Sequence, residues 1–365
     1  MFQKLIRFCV KLVQKYLPEP FIFAVVLTLL AFIIAMPVCK QTPLEVVEHW
    51  GNGVWSLLAF AMQMAGKSGT DERNGVNGMK ADFRKTMEAL DSVSTEKLLS
   101  CAHSCPPPDR RKIVRVIKDF QAVLFPLCFR RDDPDMADEV LLGRGLHALE
   151  QQISVALCFS GKERREAMEE AAEACETFAA RLAPVKELLL KDIEALYEGD
   201  PAAKCREEVM ISYPGFYAVS IYRMAHELYS LKIPLIPRIM TEFAHEKTGI
   251  DIHPGATVGE FFCIDHGTGI VIGETTVIGD HVKLYQGVTL GAKSFELDED
   301  GNPVKGIKRH PNIGNHVVIY ANATILGGNT TIGDNCVIGG NTWLTHSVKP
   351  GTTVAYTAPE NQKQE

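Results

Sequence analysis

From residue 252 onward an aliphatic side chain returns at every sixth position, and that period constrains the fold more than any other feature of the chain. The series runs Ile252, Val258, Ile264, Ile270, slips by two residues to Ile272, and continues through Ile278, Leu284 and Leu290. After a long interruption it resumes at Ile313, Ile319 and Ile325, slips by one, and ends at Ile332, Ile338 and Leu344. An α-helix repeats every 3.6 residues and a strand every 2, so neither yields this spacing. A fixed period of six, with Gly, Asn or Asp after many of the aliphatic positions, is the mark of a parallel β-helix built from hexapeptides. Each hexapeptide makes one flat side of a triangular coil, its aliphatic residue pointing into a narrow core. Such a prism is filled by its own side chains, so a small-molecule site has to lie outside it, between neighbouring prisms. Trimers are expected, with a protruding loop of one subunit covering its neighbour. The segment from Ala292 to Arg309, containing Asp298-Glu299-Asp300-Gly301-Asn302-Pro303, breaks the repeat and is that loop.

The prism is expected over 249–356, followed by a tail at 357–365. Ahead of it, from residue 79 to 248, apolar residues recur every three or four positions, as in Ile113, Val116, Ile117 and Phe120, which predicts an α-helical domain. Prolines at 106 to 108, 126, 134, 184 and 201 are read as punctuating its helices. Residues 66–78 are polar and glycine-rich and read as a linker. The fold class is therefore α + β, an α-helical domain followed by a left-handed parallel β-helix, behind a hydrophobic N-terminal leader at 1–65.

No residue from Phe21 to Val38 is charged, and this stretch is apolar on every helical face. About 18 to 20 such residues cross a hydrocarbon core, so 21–38 is a candidate transmembrane helix. Before it, Lys4, Arg7, Lys11 and Lys15 alternate with apolar residues at helical spacing, a basic amphipathic segment that by the positive-inside rule keeps the N-terminus cytoplasmic. One span would carry the remaining chain to the far side. The apolar stretch Val54–Ala65 is short for a second crossing and reads as a re-entrant or interfacial segment. The expected location is a cytoplasmic catalytic domain tethered to the inner membrane by residues 1–65.

A net charge of −7 gives no electrostatic reason for a nucleic-acid partner. The ten cysteines have no secreted-scaffold spacing and read as mostly buried thiols of a reducing compartment. Cys101-Ala102-His103-Ser104-Cys105 resembles a ligand cluster, but no second Cys or His pair follows at zinc-site spacing, so no metal is expected.

Two histidines stand out, in Asp265-His266-Gly267 within the repeat and in Arg309-His310-Pro311 where the repeat resumes. A histidine held by a carboxylate can take a proton from an alcohol, which is too weak an acid to attack an acyl group unaided. Asp251 lies about two-thirds of a coil before His266.

Three stretches resemble bacterial serine O-acetyltransferase. They are Asp251-Ile252-His253-Pro254-Gly255-Ala256, Asp265 through Thr275, and Gln286-Gly287-Val288-Thr289-Leu290-Gly291 with Arg309-His310-Pro311. The likeness covers about residue 80 to 356. It implies transfer of acetyl from acetyl-CoA to the hydroxyl of L-serine, for cysteine biosynthesis. It also implies His266 as general base, Asp251 as its orienting carboxylate and His310 as a second imidazole facing it across the cleft. Arg309 would hold the serine carboxylate, and Asp265 with Asp200 its ammonium group. Acetyl-CoA, a co-substrate, would lie along the groove between prisms against Gly291, Ala292, Ala321 and Ala323. Family members form a homotrimer or a dimer of trimers, and often bind O-acetylserine sulfhydrylase through a C-terminal isoleucine. This chain has Asn361-Gln362-Lys363-Gln364-Glu365 in that place, which argues against that partner.

Residues 1–65 also resemble the start of a bacterial short-chain fatty acid transporter, through Tyr16-Leu17-Pro18-Glu19-Pro20-Phe21 and His49-Trp50-Gly51-Asn52-Gly53-Val54-Trp55. Transport needs many spans around a central site, so this fragment alone is not a transporter. The alternatives are a hexapeptide-repeat acyltransferase acting on a sugar, a metal-dependent prism enzyme of the γ-carbonic anhydrase type using His266, His281 and His310, and a membrane-tethered non-catalytic scaffold.

Overall fold

The computed structural model describes residues 83–93, 105–129, 136–294 and 297–355. The candidate span at 21–38, the linker and the Cys101–His103 part of the cysteine cluster lie outside them. Among the described residues no helix is long and apolar enough to cross a membrane. The chain divides into two compact units, Met1–Thr95 and Glu96–Glu365. The first contains one short described helix, α1 (Phe83–Asp91).

Among the described residues the second unit begins with six helices: α2 (Arg110–Leu124), α3 (Asp138–Phe159), α4 (Arg164–Gly199), α5 (Arg206–Ser212), α6 (Pro214–Ser230) and α7 (Ile236–Thr248). Asp109 caps α2 by accepting from the N–H of Arg111 at 2.8 Å, satisfying one of the donors a helix start leaves open. Pro184 does not punctuate the helices as its sequence position suggests: it lies inside α4. A proline there forfeits one intrahelical hydrogen bond, but Phe178, Leu182, Val185 and Leu189 around it are buried in a single apolar stripe. Packing of that stripe, including Phe178 on Phe120 at 5.4 Å, overrides the local preference.

Among the described residues fourteen short strands then wind a parallel β-helix: β1 (Asp251–Ile252), β2 (Thr257–Val258), β3 (Cys263–Asp265), β4 (Val271–Ile272), β5 (Val277–Ile278), β6 (Lys283–Tyr285), β7 (Thr289–Gly291), β8 (Asn312–Ile313), β9 (Val318–Ile319), β10 (Thr324–Leu326), β11 (Thr331–Ile332), β12 (Val337–Ile338), β13 (Trp343–Leu344) and β14 (Thr353–Val354). They stack into three faces, with orders β1-β4-β7-β10-β13, β2-β5-β8-β11 and β3-β6-β9-β12-β14, here called faces A, B and C. The six-residue series becomes three buried columns. Ile252, Ile272, Leu290, Ile325 and Leu344 line face A; Ile278, Ile313 and Ile332 face B; Ile264, Leu284, Ile319 and Ile338 face C. These twelve residues are buried and form one hydrophobic core along the prism; of the rest of the series, Val258 pairs with Ile278 on face B but is half-buried, and Ile270 is buried just ahead of β4, outside the columns.

Left-handed backbone turns the corners. Between faces B and C the turning residues are Phe261, His281, His316 and Asn335, each with φ between 54° and 57°. Between C and A they are Gly269, Gly287, Asn322 and Asn341, again with positive φ. The two-residue slip, which the sequence series sets between Ile270 and Ile272, is taken up earlier, between Ile264 of β3 and Ile272 of β4, at this second edge. His266 and Gly267 are the extra residues, both with positive φ (58° and 87°), and the Gly267 N–H donates to the Asp265 carbonyl at 2.7 Å in a tight reversal. The broken period thus pushes His266 out of the prism as a bulge. His266 shares its left-handed conformation with the corner residues; what sets it apart is the extra pair of residues that lifts it off the coil.

The helices dock on the first coil through a buried ion pair. Arg223 of α6 makes a two-pronged contact with Asp192 of α4 at 2.6 and 2.8 Å, and also donates to the Val258 and Gly259 carbonyls. Asp192 in turn accepts from the Phe262 N–H at 2.9 Å. Gly215, at the start of α6, presses against β3 so closely that a Cβ would sit 2.3 Å from the Ile264 carbonyl oxygen. That approach brings the α4–α6 region beside Asp265 and His266.

Candidate active site

The residues singled out from the sequence fall into two groups on two different edges of the prism. The first gathers at the C-to-A edge. His266 projects there with its side chain 72% exposed, and its Nδ1 lies 3.6 Å from Asp265 Oδ1. Asp265, closing β3, is largely buried and pairs with Lys283 Nζ at 3.1 Å. Asp200 comes from the helical region, as the C-cap of α4. A carboxylate opposes the negative end of a helix, so its place there asks for a functional reason. Its oxygens accept from the Tyr213 hydroxyl at 2.5 Å and the Ala202 N–H at 2.8 Å. Tyr213 first, then Ala202, hold the Asp200 carboxyl below the ordinary carboxylate range, against some loss of hydration, with Lys283 and His266 adding to the effect. The same contact pushes the Tyr213 phenol up to about 12, so it stays a donor at neutral pH. Asp251 opens β1 on face A, directly after this edge. Its nearest charged partner among the described residues is Arg238 of α7, at 3.8 Å, and no hydrogen bond joins it to His266 in the single chain.

The second group occupies the A-to-B edge. His310 is buried, and its ring lies over Gly273, where a Cβ would come within 2.1 Å of it; only glycine leaves that space. The Thr275 N–H donates to His310 Nδ1 at 3.0 Å. A backbone donor aimed at Nδ1 fixes the proton of the neutral ring on Nε2. Burial, and then the Arg309 guanidinium, push the His310 imidazole down to about 4, so it is neutral across the physiological range. The Thr275 hydroxyl accepts from the N–H groups of Arg309 and His310 at 3.0 and 3.1 Å, tying the end of the insertion to the coil above. Arg309 pairs with Glu274 at 2.5 Å, and Glu274 accepts from the Tyr229 hydroxyl of α6 at 3.0 Å. Arg309 and Tyr229 keep the Glu274 carboxyl low despite its partial burial. The insertion folds back through an antiparallel bridge between Leu297 and Pro303, with Asp298 accepting from the Asn302 N–H at 2.8 Å. It borders an open cleft of about 840 Å³ lined by Glu274, Asp298, Pro303, Lys305 and Arg309 among others.

His266 and His310 therefore do not face each other within one chain: they sit on separate edges. The positions expected along the acetyl-CoA groove divide the same way. Gly291 and Ala292 are at the A-to-B edge, Ala321 and Ala323 at the C-to-A edge. Ala323 is fully buried, and its carbonyl accepts from the Thr289 N–H at 3.0 Å. His281 lies on the third edge, stacked between Phe261 and His316 at 4.3 and 4.7 Å, so the three histidines of the metal alternative occupy three edges. Among the described residues, Glu242, His245 and Asp251 are the one set of metal-type donors within reach of each other, and Arg238 pairs with two of the three. Lys283, Tyr213 and Tyr229 escaped the sequence reading, because each enters the site through packing between helices and prism. The sequence showed a two-residue slip but placed it at Ile270–Ile272, so the bulge that projects His266 emerged only from the strand register.

The chain is similar to known proteins over most of its length. It is 44% identical over 286 residues to a plasmid-borne serine acetyltransferase of Synechococcus elongatus, covering 74% of this chain and 89% of that one. It is 46% identical over 163 residues to the serine acetyltransferase of Staphylococcus xylosus, covering 45% and 71%. Among solved structures, Entamoeba histolytica serine acetyltransferase 1 in complex with L-cysteine superposes with a TM-score of 0.59 at 34% identity, covering 66% of this chain and 86% of that one. Isoform 3 from the same organism, also with cysteine, gives 0.57 at 36%, covering 69% and 84%. Residues 1–70 match a family model described as short chain fatty acid transporter. From the helical region through the prism, this chain belongs to the serine acetyltransferase family and is an acyltransferase of that kind.

Proposed function

We propose that acetyl transfer from acetyl-CoA to the L-serine hydroxyl takes place between two copies of the chain, the C-to-A edge of one facing the A-to-B edge of its neighbour. The observation that carries this reading is the division of one chemical set over two edges of a rigid prism. His266, Asp265 and Asp200 are on one, His310, Arg309 and Glu274 on the other. A closed trimer of prisms juxtaposes such edges three times.

His266 takes the proton of the serine hydroxyl as its oxygen attacks the thioester carbon. The family resemblance assigns Asp251 to orient the ring and stabilise the imidazolium, while Asp265, paired with Lys283 through Oδ2, keeps Oδ1 3.6 Å from the same ring. The neighbour's His310, neutral and carrying its proton on Nε2, is suited to donate to the oxyanion of the tetrahedral intermediate. Collapse breaks the carbon–sulfur bond, and His266 returns the proton to the departing thiolate. Arg309, braced by Glu274, presents its remaining N–H donors to the serine carboxylate, while Asp200 and Asp265 receive the ammonium group. The pantetheine arm of acetyl-CoA runs along the same groove, between Gly291 and Ala292 of one subunit and Ala321 and Ala323 of the other.

The test is thiol release from acetyl-CoA by the full chain, with L-serine as acceptor, beside His266→Ala. Serine-dependent release that falls on the order of a thousandfold in the variant supports the reaction and its base. Release independent of serine, or unchanged in the variant, contradicts them.

A further inference from the structure

Lys283 stands between the two acids of the amine-binding half of the site, paired with Asp265 and beside the turn that carries Asp200. It lies on β6, one coil beyond Cys263, in register with it. Its Nζ is 3.1 Å from Asp265 Oδ2 and donates to the Gly199 carbonyl at 2.6 Å. Gly199 is the last residue of α4, and Asp200 follows it. The ammonium also lies 4.5 Å from the centre of the Tyr285 ring. Its side chain is only 16% exposed. Burial works against its charge, but Tyr285 and Asp265 outweigh that and hold the Lys283 ammonium above its ordinary range, so it remains a cation.

This arrangement does two things. First, a cation at the end of α4 satisfies an open helix carbonyl and complements the helix dipole, which anchors the turn that carries Asp200. Second, it fixes one oxygen of Asp265 and offsets part of the repulsion between the two carboxylates before substrate arrives. Without it, an incoming ammonium group would have to order both acids itself, and that cost would appear as weaker binding.

We infer that Lys283 is a positioning residue for the serine amine subsite: bridging Asp265 and the C-terminal carbonyl of α4, it sets the spacing of the two carboxylates that receive the substrate's ammonium group. The inference rests on the serine-binding reading given above. Lys283 acts through the two acids: its polar contacts are Asp265 Oδ2 and the Gly199 carbonyl, and it makes no hydrogen bond or ion pair with His266 or His310.

The experiment compares the full-length wild type with Lys283→Met and Lys283→Arg, measuring kcat and the KM for L-serine and for acetyl-CoA separately. In Lys283→Met the KM for serine is expected to rise about tenfold, the loss of one charge-assisted contact, while kcat and the KM for acetyl-CoA stay within about twofold. Lys283→Arg restores most of the serine affinity. An unchanged KM for serine in a folded Lys283→Met enzyme overturns the inference. So does an equal fall in every parameter that arginine does not rescue, since that marks a purely structural role. If Lys283→Met does not fold, Lys283→Gln carries the same comparison. A wild type with no serine-dependent turnover would instead overturn the serine reading itself, and the two failures are distinct.

Discussion

The helical region and the prism bury their cores in opposite ways. In the helices, apolar residues recur loosely, and the final arrangement depends on which faces find each other; α4 even runs through Pro184 because its buried stripe holds it. In the prism each coil repeats the last, and a residue's place on face or edge follows from its place in the period. A regular scaffold of that kind offers no pocket of its own, so its chemistry concentrates where the period fails. Both main failures carry a histidine. The two-residue bulge projects His266, and the long insertion returns at His310. The helices add single polar groups to sites the prism has already placed: Asp200 and Tyr213 beside Asp265, and Tyr229 beside Glu274.

The joint between the regions is the most sensitive point of that comparison. Arg223 and Asp192 are both buried, and removing one leaves a charge without its partner. Arg223→Met is expected to lower unfolding stability by about 3–5 kcal/mol, read from urea denaturation. A loss under about 1 kcal/mol would mean the helices dock through apolar contact alone.

A second break lies within the prism. Gly273→Ala puts a methyl group where the His310 ring rests, so the ring must leave its seat against Thr275. The expected result is a fall in kcat of about a hundredfold, as for loss of one oxyanion donor, with serine affinity largely kept. Equal loss in Gly273→Ala and in a His310→Ala, Gly273→Ala double variant would place the whole effect in that ring.

The smallest effect concerns pH. An unfolded histidine titrates near 6.5, whereas His310 in the fold is pushed down to about 4. Above pH 6.5 both states are neutral there and its contribution to stability is complete. Between pH 6.5 and 4 the unfolded chain binds a proton that the folded chain refuses, so stability falls by about 1–3 kcal/mol. Denaturation midpoints at pH 7.5 and 4.5 should differ less in His310→Ala than in the wild type by that amount. An identical pH response would show that the ring is accessible to protons in the fold.

Much of this was legible in the sequence, and the reason is the period. It gave the prism, its columns and the insertion, and the motifs around Asp251, His266 and His310 gave the chemistry through resemblance. The edge that each histidine occupies depends on counting corners across a slip and a long insertion, so their separation emerged only from the strand register. Lys283 was not legible because its neighbours, Gly199 and Asp265, lie far apart in the chain and meet only when α4 ends against β3. Pro184 misled for the converse reason: a local signal yielded to packing that no local window contains.

Whether two chains share each site can be read from mixed assemblies. His266→Ala and His310→Ala, each expected to keep no more than about a hundredth of the activity alone, are unfolded together in equal amounts and refolded, so that subunits mix at random. If each site takes one edge from each of two neighbours, about a quarter of the sites regain both histidines, and activity returns to about a quarter of wild type. If both histidines act within one chain, no mixed assembly contains an intact site and activity stays at the level of the single variants.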